Sequence, residues 1–257
     1  MKDFVDQRDE TFRAVKSEED LEKIQKPNFH SLLPKLLIPL LRKFKNFASF
    51  AWVTGPWETA HALYPLNELL IAIYRNRSFV EKLFDFALDF WVDAIEEAAS
   101  LGMDGIVIGD DYGTQVGPMI SPKHHSELII PRLRKMVQTA KERGLRVILH
   151  SCGNITPLLD SLIDCGFDAI HPLQPGAMNT FEVIERYRGK FVVCTGFDVQ
   201  RHPFCSPEEV FEYTKKLIQI ASPSLILAPT NTVVNGTPHE NLFAFLHARR
   251  QFGSLLA

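Results

Sequence analysis

The chain carries no strong excess of either charge. Its 28 Lys and Arg against 31 Asp and Glu leave a net charge of −3 over 257 residues. No electrostatic footprint for nucleic acid or an anionic membrane surface follows from such a balance. Long hydrophobic runs are missing too. The greasiest, Leu32 to Leu41, is broken by Pro34, Lys35 and Pro39 and is too short to span a bilayer. The first residues, Met1-Lys2-Asp3-Phe4-Val5-Asp6, lack the apolar stretch of a signal peptide, so a cytoplasmic location is expected. Cysteine is scarce. Cys152, Cys165, Cys194 and Cys205 show no framework spacing and are read as reduced thiols. No Gly-x-Gly-x-x-Gly follows the first strand candidate, which weighs against a dinucleotide fold.

What is present is alternation. Apolar strand candidates are Ser49–Thr54, Gly105–Gly109, Arg146–His150, Asp168–Leu173, Phe191–Thr195 and Leu225–Pro229. Between them lie amphipathic stretches. Phe79 to Leu101 is the longest, with Phe79, Leu83, Phe86, Phe90, Ile95 and Ala98 at helical spacing. Ser121-Pro122 reads as an N-cap with proline at the first helical position. Ser206-Pro207-Glu208-Glu209 and Thr237-Pro238-His239-Glu240 read as capping boxes. Gly102, Gly144, Gly166 and Gly189 sit where left-handed helix ends are expected. Strands greasy throughout, alternating with helices, mean a parallel sheet covered by helices. A doubly wound sheet and a (β/α)8 barrel both fit. Polar residues at the C-terminal strand ends favour the barrel, with about six of eight units visible. Residues 1–45 are expected to form an N-terminal arm or short helices, and residues 46–257 the barrel domain.

The densest chemistry lies in Val147-Ile148-Leu149-His150-Ser151-Cys152-Gly153-Asn154. Period two lets His150 and Cys152 point the same way at a strand's end. Imidazole and thiolate are the preferred zinc ligands, but a catalytic site wants three. Candidates for the third are Glu58, Asp110, Asp111 and, less favoured, Asn231. Of the adjacent Asp110 and Asp111, only one is expected to face the site, since neighbours on a strand point to opposite faces. A carboxylate there can ligate metal, orient His150, accept a proton, or simply hold loop amides. Trp57 and Tyr112 are candidates for an aromatic floor of a substrate site, or for packing. Gln174, Asp198 and Asn231 complete the candidate substrate-binding set. His124-His125 reads as surface, and His171 as a minor candidate at a strand end. Cys165 is placed in a helix-end turn, Cys194 in the core, and Cys205 in a loop able to reach the site.

At these residues the chain resembles the uroporphyrinogen decarboxylase superfamily, and within it the branch holding methylcobamide:coenzyme M methyltransferases. The segments that carry the likeness are Gly55-Pro56-Trp57-Glu58-Thr59-Ala60, Asp110-Asp111-Tyr112-Gly113-Thr114-Gln115 with Ile120-Ser121-Pro122, and His150-Ser151-Cys152-Gly153-Asn154. Thr195-Gly196-Phe197-Asp198 and Thr237-Pro238-His239-Glu240-Asn241 follow in family order. The resemblance implies a (β/α)8 barrel with its site at the C-terminal mouth. It also implies zinc held by His150 and Cys152, and a corrinoid as substrate or on a partner protein. Two departures stand out. The part that would supply the first two strands, and in true decarboxylases the tetrapyrrole-gripping arginines and aspartate, is not seen. The loop that gives the branch a third, cysteine ligand reads Ala228-Pro229-Thr230-Asn231-Thr232 here.

Three functions are therefore weighed. The first is zinc-assisted methyl transfer between a corrinoid and a thiol or methylated donor. The second is tetrapyrrole decarboxylation of the uroporphyrinogen type. The third is a non-catalytic or truncated family member. An open six-stranded parallel sheet leaves two edges, so a homodimer is expected.

Overall fold

The computed structural model describes residues 15–25, 37–41 and 43–253. Of the expected N-terminal arm, residues 1–14, 26–36 and 42 lie outside the described part. The fold is α/β with six parallel strands among the described residues. The chain divides into two compact units.

The first unit comprises the described residues of Met1–Asp110 and Lys123–Leu145. It opens with α1 (Glu18–Glu22), whose Glu18 pairs with Lys82. β1 (Phe50–Thr54) and β2 (Gly105–Gly109) pair in parallel, from Phe50 opposite Gly105 to Thr54 opposite Gly109. Between them run α2 (Pro56–Leu63), α3 (Leu66–Arg75) and α4 (Arg77–Ser100). The Asn76 side chain caps α4 by accepting the Phe79 N–H. The buried face of α4 repeats every three or four residues, through Phe79, Leu83, Ala87, Ala94, Ile95 and Ala98. Met136, Val137 and Ala140 do the same for α5 (Ile130–Glu142).

A π-helical turn, His125–Ile129, leads into α5. Here the surface reading of His124-His125 is half wrong. His125 precedes Leu128 and Ile129 by three and four residues, the spacing of one helical face, and is buried with them. Burial pushes its pKa down to about 4.

The second unit comprises Asp111–Pro122 and the described residues of Arg146–Ala257. β3 (Arg146–His150), β4 (Ala169–His171), β5 (Val192–Phe197) and β6 (Leu225–Pro229) pair in chain order, all parallel. α6 (Leu159–Ile163), α7 (Thr180–Arg186), α8 (Pro207–Ala221) and α9 (His239–Phe252) connect and follow them. β4 is shorter than its apolar run, because Pro172 has no N–H to extend the ladder. The Asp168 carboxylate accepts the Val147 N–H at 2.7 Å, fixing where β4 starts beside β3. Phe197, Val199, Val210 and Phe245 form the core under α8 and α9.

The Ser206 capping box forms: Ser206 Oγ accepts the Glu209 N–H while the Glu209 carboxylate accepts the Ser206 N–H. The one expected at Thr237 does not. α9 begins at His239, and the Thr237 hydroxyl donates back to the Val234 carbonyl instead. Gly102, Gly144, Gly166 and Gly189 all take the left-handed conformation, with φ between 74° and 92°.

Candidate metal centre

The site is built in the second unit at the end of β3. There the strand register sets His150 directly opposite His171 of β4. Past His150 the chain turns at Gly153, whose φ of 81° excludes most side chains. The segment Asp111–Gly113 lies against this turn. A Cβ on Gly113 would sit 2.6 Å from the Cys152 carbonyl oxygen, so only glycine lets the two backbones approach. The Ser151 hydroxyl accepts the Tyr112 N–H at 3.0 Å, and Asn154 donates its N–H to the Thr114 carbonyl at 2.7 Å. These bonds lock the two segments side by side.

That register gathers three donor groups. Cys152 Sγ lies 3.5 Å from His150 Nε2. Asp111 Oδ1 lies 3.7 Å from the same nitrogen. One ligand atom from each residue falls within 4.8 Å of the other two. The Cys152 N–H donates to Asp111 Oδ1 at 2.6 Å, which aims the carboxylate. The His150 side chain is 12% exposed and that of Asp111 36%. The cluster therefore opens to solvent on one side, and it could hold a metal ion.

Several groups brace the cluster. The Asn231 amide nitrogen donates to Cys152 Sγ at 3.2 Å, while its oxygen accepts the Thr232 N–H at 2.7 Å. The backbone donor settles which end of the amide faces the sulfur. The two Nδ1 atoms of His150 and His171 are 2.7 Å apart, and His171 Nε2 donates to the Pro229 carbonyl at 2.9 Å. Burial lowers the His171 pKa, opposed by that carbonyl contact. Buried Gln174 accepts the Gly153 N–H at 2.8 Å and donates to Gln200 at 3.2 Å. Sequence reasoning gave His171 little weight and passed over Gln200 and Thr232. The available signal for His171 was its place at the end of the strand after His150.

The remaining candidates are placed as follows. Asp198 is buried, and its carboxylate accepts the Gln200 and Arg201 N–H groups. Tyr112 is 1% exposed. In the first unit, the Asp110 carboxylate accepts the Trp57 and Glu58 N–H groups at 3.2 and 2.6 Å, at the start of α2. Trp57 is also 1% exposed, with its ring against Phe84 and His61. Glu58 lies 3.0 Å from His61 Nε2. All four cysteines are free thiols. Cys165 is buried in the turn after α6, with its thiol donating to the Ser161 carbonyl. Cys194 is buried, which pushes its thiol up to about 11, and Cys205 packs on the core under α8 and α9.

Parallel strands that end in a cluster of imidazole, thiol and carboxylate, able to hold a metal ion, define an α/β protein with its candidate site at the strand ends. A model of the uroporphyrinogen decarboxylase family matches residues 4–252, and the chain belongs to that family. It is similar to the methylcobamide:CoM methyltransferase MtbA of Methanosarcina acetivorans. The two are 23% identical over 244 residues, 93% of this chain and 70% of that protein. The Methanosarcina mazei MtbA is 25% identical over 162 residues, 61% of this chain and 47% of that protein. Among solved structures, a methyltransferase from Methanosarcina mazei superposes with a TM-score of 0.74 at 19% identity. That match covers 91% of this chain and 69% of that one. The six parallel strands among the described residues are consistent with an incomplete (β/α)8 barrel of the family's type. No helix among the described residues is long and apolar enough to cross a membrane.

Proposed function

We propose that the chain is a zinc-assisted enzyme moving a methyl group between a corrinoid and a thiol or methylated donor. The observation that carries this is the convergence of Asp111, His150 and Cys152. The donor set fits zinc. Bonds of about 2.3 Å to sulfur and about 2.0 Å to nitrogen at a tetrahedral angle separate those two atoms by about 3.5 Å. The observed separation is 3.5 Å. Three protein ligands and one open position are the pattern of a catalytic rather than a structural zinc site. Zinc bound there would supply acidity, converting a coordinated substrate thiol to thiolate near neutral pH.

The chain's own residues do the rest. The Cys152 N–H holds the Asp111 carboxylate turned toward the site. The Asn231 N–H stabilises negative charge on the Cys152 sulfur. Gln174 fixes the Gly153 amide and so the turn that carries Cys152. Asp110 is best read as a buried acceptor for the first amides of α2, which sets the position of Glu58. The similarity to corrinoid methyltransferases supports a corrinoid protein as partner. We also propose residues 46–257 as the barrel domain, and a homodimer that covers the exposed Ile226 of β6 and Trp52 of β1.

The assay is methylcob(III)alamin with a small thiol, followed by the change in the corrinoid's visible spectrum. Demethylation that disappears in Cys152→Ser supports the proposal. Anaerobic decarboxylation of uroporphyrinogen that survives in Cys152→Ser would replace it with the decarboxylase reading. Inactivity in both assays would favour a non-catalytic member.

A further inference from the structure

We propose that His171 is a positioning residue that holds His150 in the tautomer needed to bind metal through Nε2. The inference rests on the metal reading above and deepens it. Register pairing on adjacent parallel strands sets the two imidazoles side by side, with ring centroids 4.9 Å apart. Their Nδ1 atoms are 2.7 Å apart, a separation that needs one proton between them, not two and not none. The far nitrogen of His171 decides who owns that proton. It lies 2.9 Å from the Pro229 carbonyl oxygen, which can only accept, so His171 Nε2 carries a hydrogen. A neutral imidazole with its hydrogen on Nε2 offers a lone pair at Nδ1. His150 must then donate from its own Nδ1, and its Nε2 is left as the lone-pair nitrogen. That nitrogen is the one facing Cys152 Sγ and Asp111 Oδ1.

The hydrogen bonds thus run in one direction, from His150 to His171 and from His171 to the end of β6. Metal-bound histidines need their second nitrogen engaged, because that contact fixes both tautomer and ring angle. Here the partner is a second imidazole anchored on a carbonyl two strands away, since β4 pairs with β5 and β5 with β6. Ser151 donates its N–H to the His171 carbonyl at 2.8 Å, which keeps the two strand ends from sliding apart.

Two measurements test this. The first uses zinc-free wild-type protein and reads histidine tautomers by long-range ¹H–¹⁵N NMR at neutral pH. His150 should show a protonated Nδ1 and a pyridine-like Nε2, and His171 the reverse. His150 protonated on Nε2 would overturn the proposal without any variant. The second is zinc affinity by competition with a chromophoric chelator. His171→Phe keeps a flat ring but offers no acceptor, and should weaken zinc about 10- to 100-fold. His171→Gln can accept at one atom and donate at the other, and should restore most of the affinity. Zinc binding in His171→Phe equal to wild type would overturn the proposal. Wild-type protein that binds no zinc yet shows the expected tautomers would sink the metal reading while leaving the histidine pairing standing.

Discussion

Asn231 donates its amide N–H to the sulfur of Cys152 at 3.2 Å, from the loop that follows β6. In the methyltransferase branch the chain resembles, that loop commonly brings a cysteine to the metal. The relationship gives a direct substitution test. Asn231→Cys should add a second thiolate beside Cys152 and tighten zinc at least about tenfold, since thiolate is a preferred zinc ligand and amide a poor one. Chelator competition measures it. Unchanged affinity would mean that the loop does not reach the metal.

Asp110 and Asp111 should separate cleanly by variant. Asp110→Ala removes a buried acceptor of two α2 amides, and should cost about 2–3 kcal/mol in urea unfolding while leaving zinc content intact. Asp111→Ala should do the opposite, lowering zinc content with little loss of stability. Gly55→Ala should resemble Asp110→Ala, because its Cβ would collide with the Asp110 carboxylate.

Much of this was legible in the sequence. Gly105–Gly109, Arg146–His150 and Leu225–Pro229 are strands with the bounds their apolar runs indicate. Runs of five residues set off by nearby glycine or proline are too short for a helix and read as strands. The His-x-Cys spacing likewise put two donors on one side of a strand end through period two alone. Other features depend on register. The pairing of His150 with His171 arises from how β3 meets β4 and leaves no local pattern. The burial of His125 did leave one, since it stands three and four residues before the apolar Leu128 and Ile129. Nor could spacing choose among Glu58, Asp110 and Asp111, since each follows a strand in the same manner.

His125 makes stability fall with acid. Its pKa is about 4 in the folded chain against 6.5 for the ordinary side chain. Between those values the unfolded chain binds the extra proton, so unfolding becomes easier as pH drops. The contribution is complete above about pH 6.5, fades as pH falls toward about 4, and amounts to about 3 kcal/mol in all. Urea melts at pH 7.0 and 4.5 measure it, and His125→Leu should flatten the difference. An equal loss in that variant would assign the slope to other groups.

The thiols of Cys152 and Cys194 should label at different rates. In zinc-free protein at pH 8, iodoacetamide should modify half-exposed Cys152 well before Cys194, which is buried with its thiol pushed up to about 11. Zinc should then protect Cys152 and leave the labelling of partly exposed Cys205 unchanged. Peptide mass spectrometry resolves each site. Equal protection at Cys205 would point to a global tightening of the fold.

The most direct measurement is zinc per chain by elemental analysis, on wild type and on His150→Ala, Cys152→Ser and Asp111→Ala. Up to about one zinc is expected in the wild type, and less than about a tenth of the wild-type content in each variant, since two remaining ligands do not hold a catalytic zinc. Folding is checked in parallel by circular dichroism. Full zinc occupancy surviving the loss of both His150 and Cys152 would contradict the metal site and leave that strand end a purely structural feature.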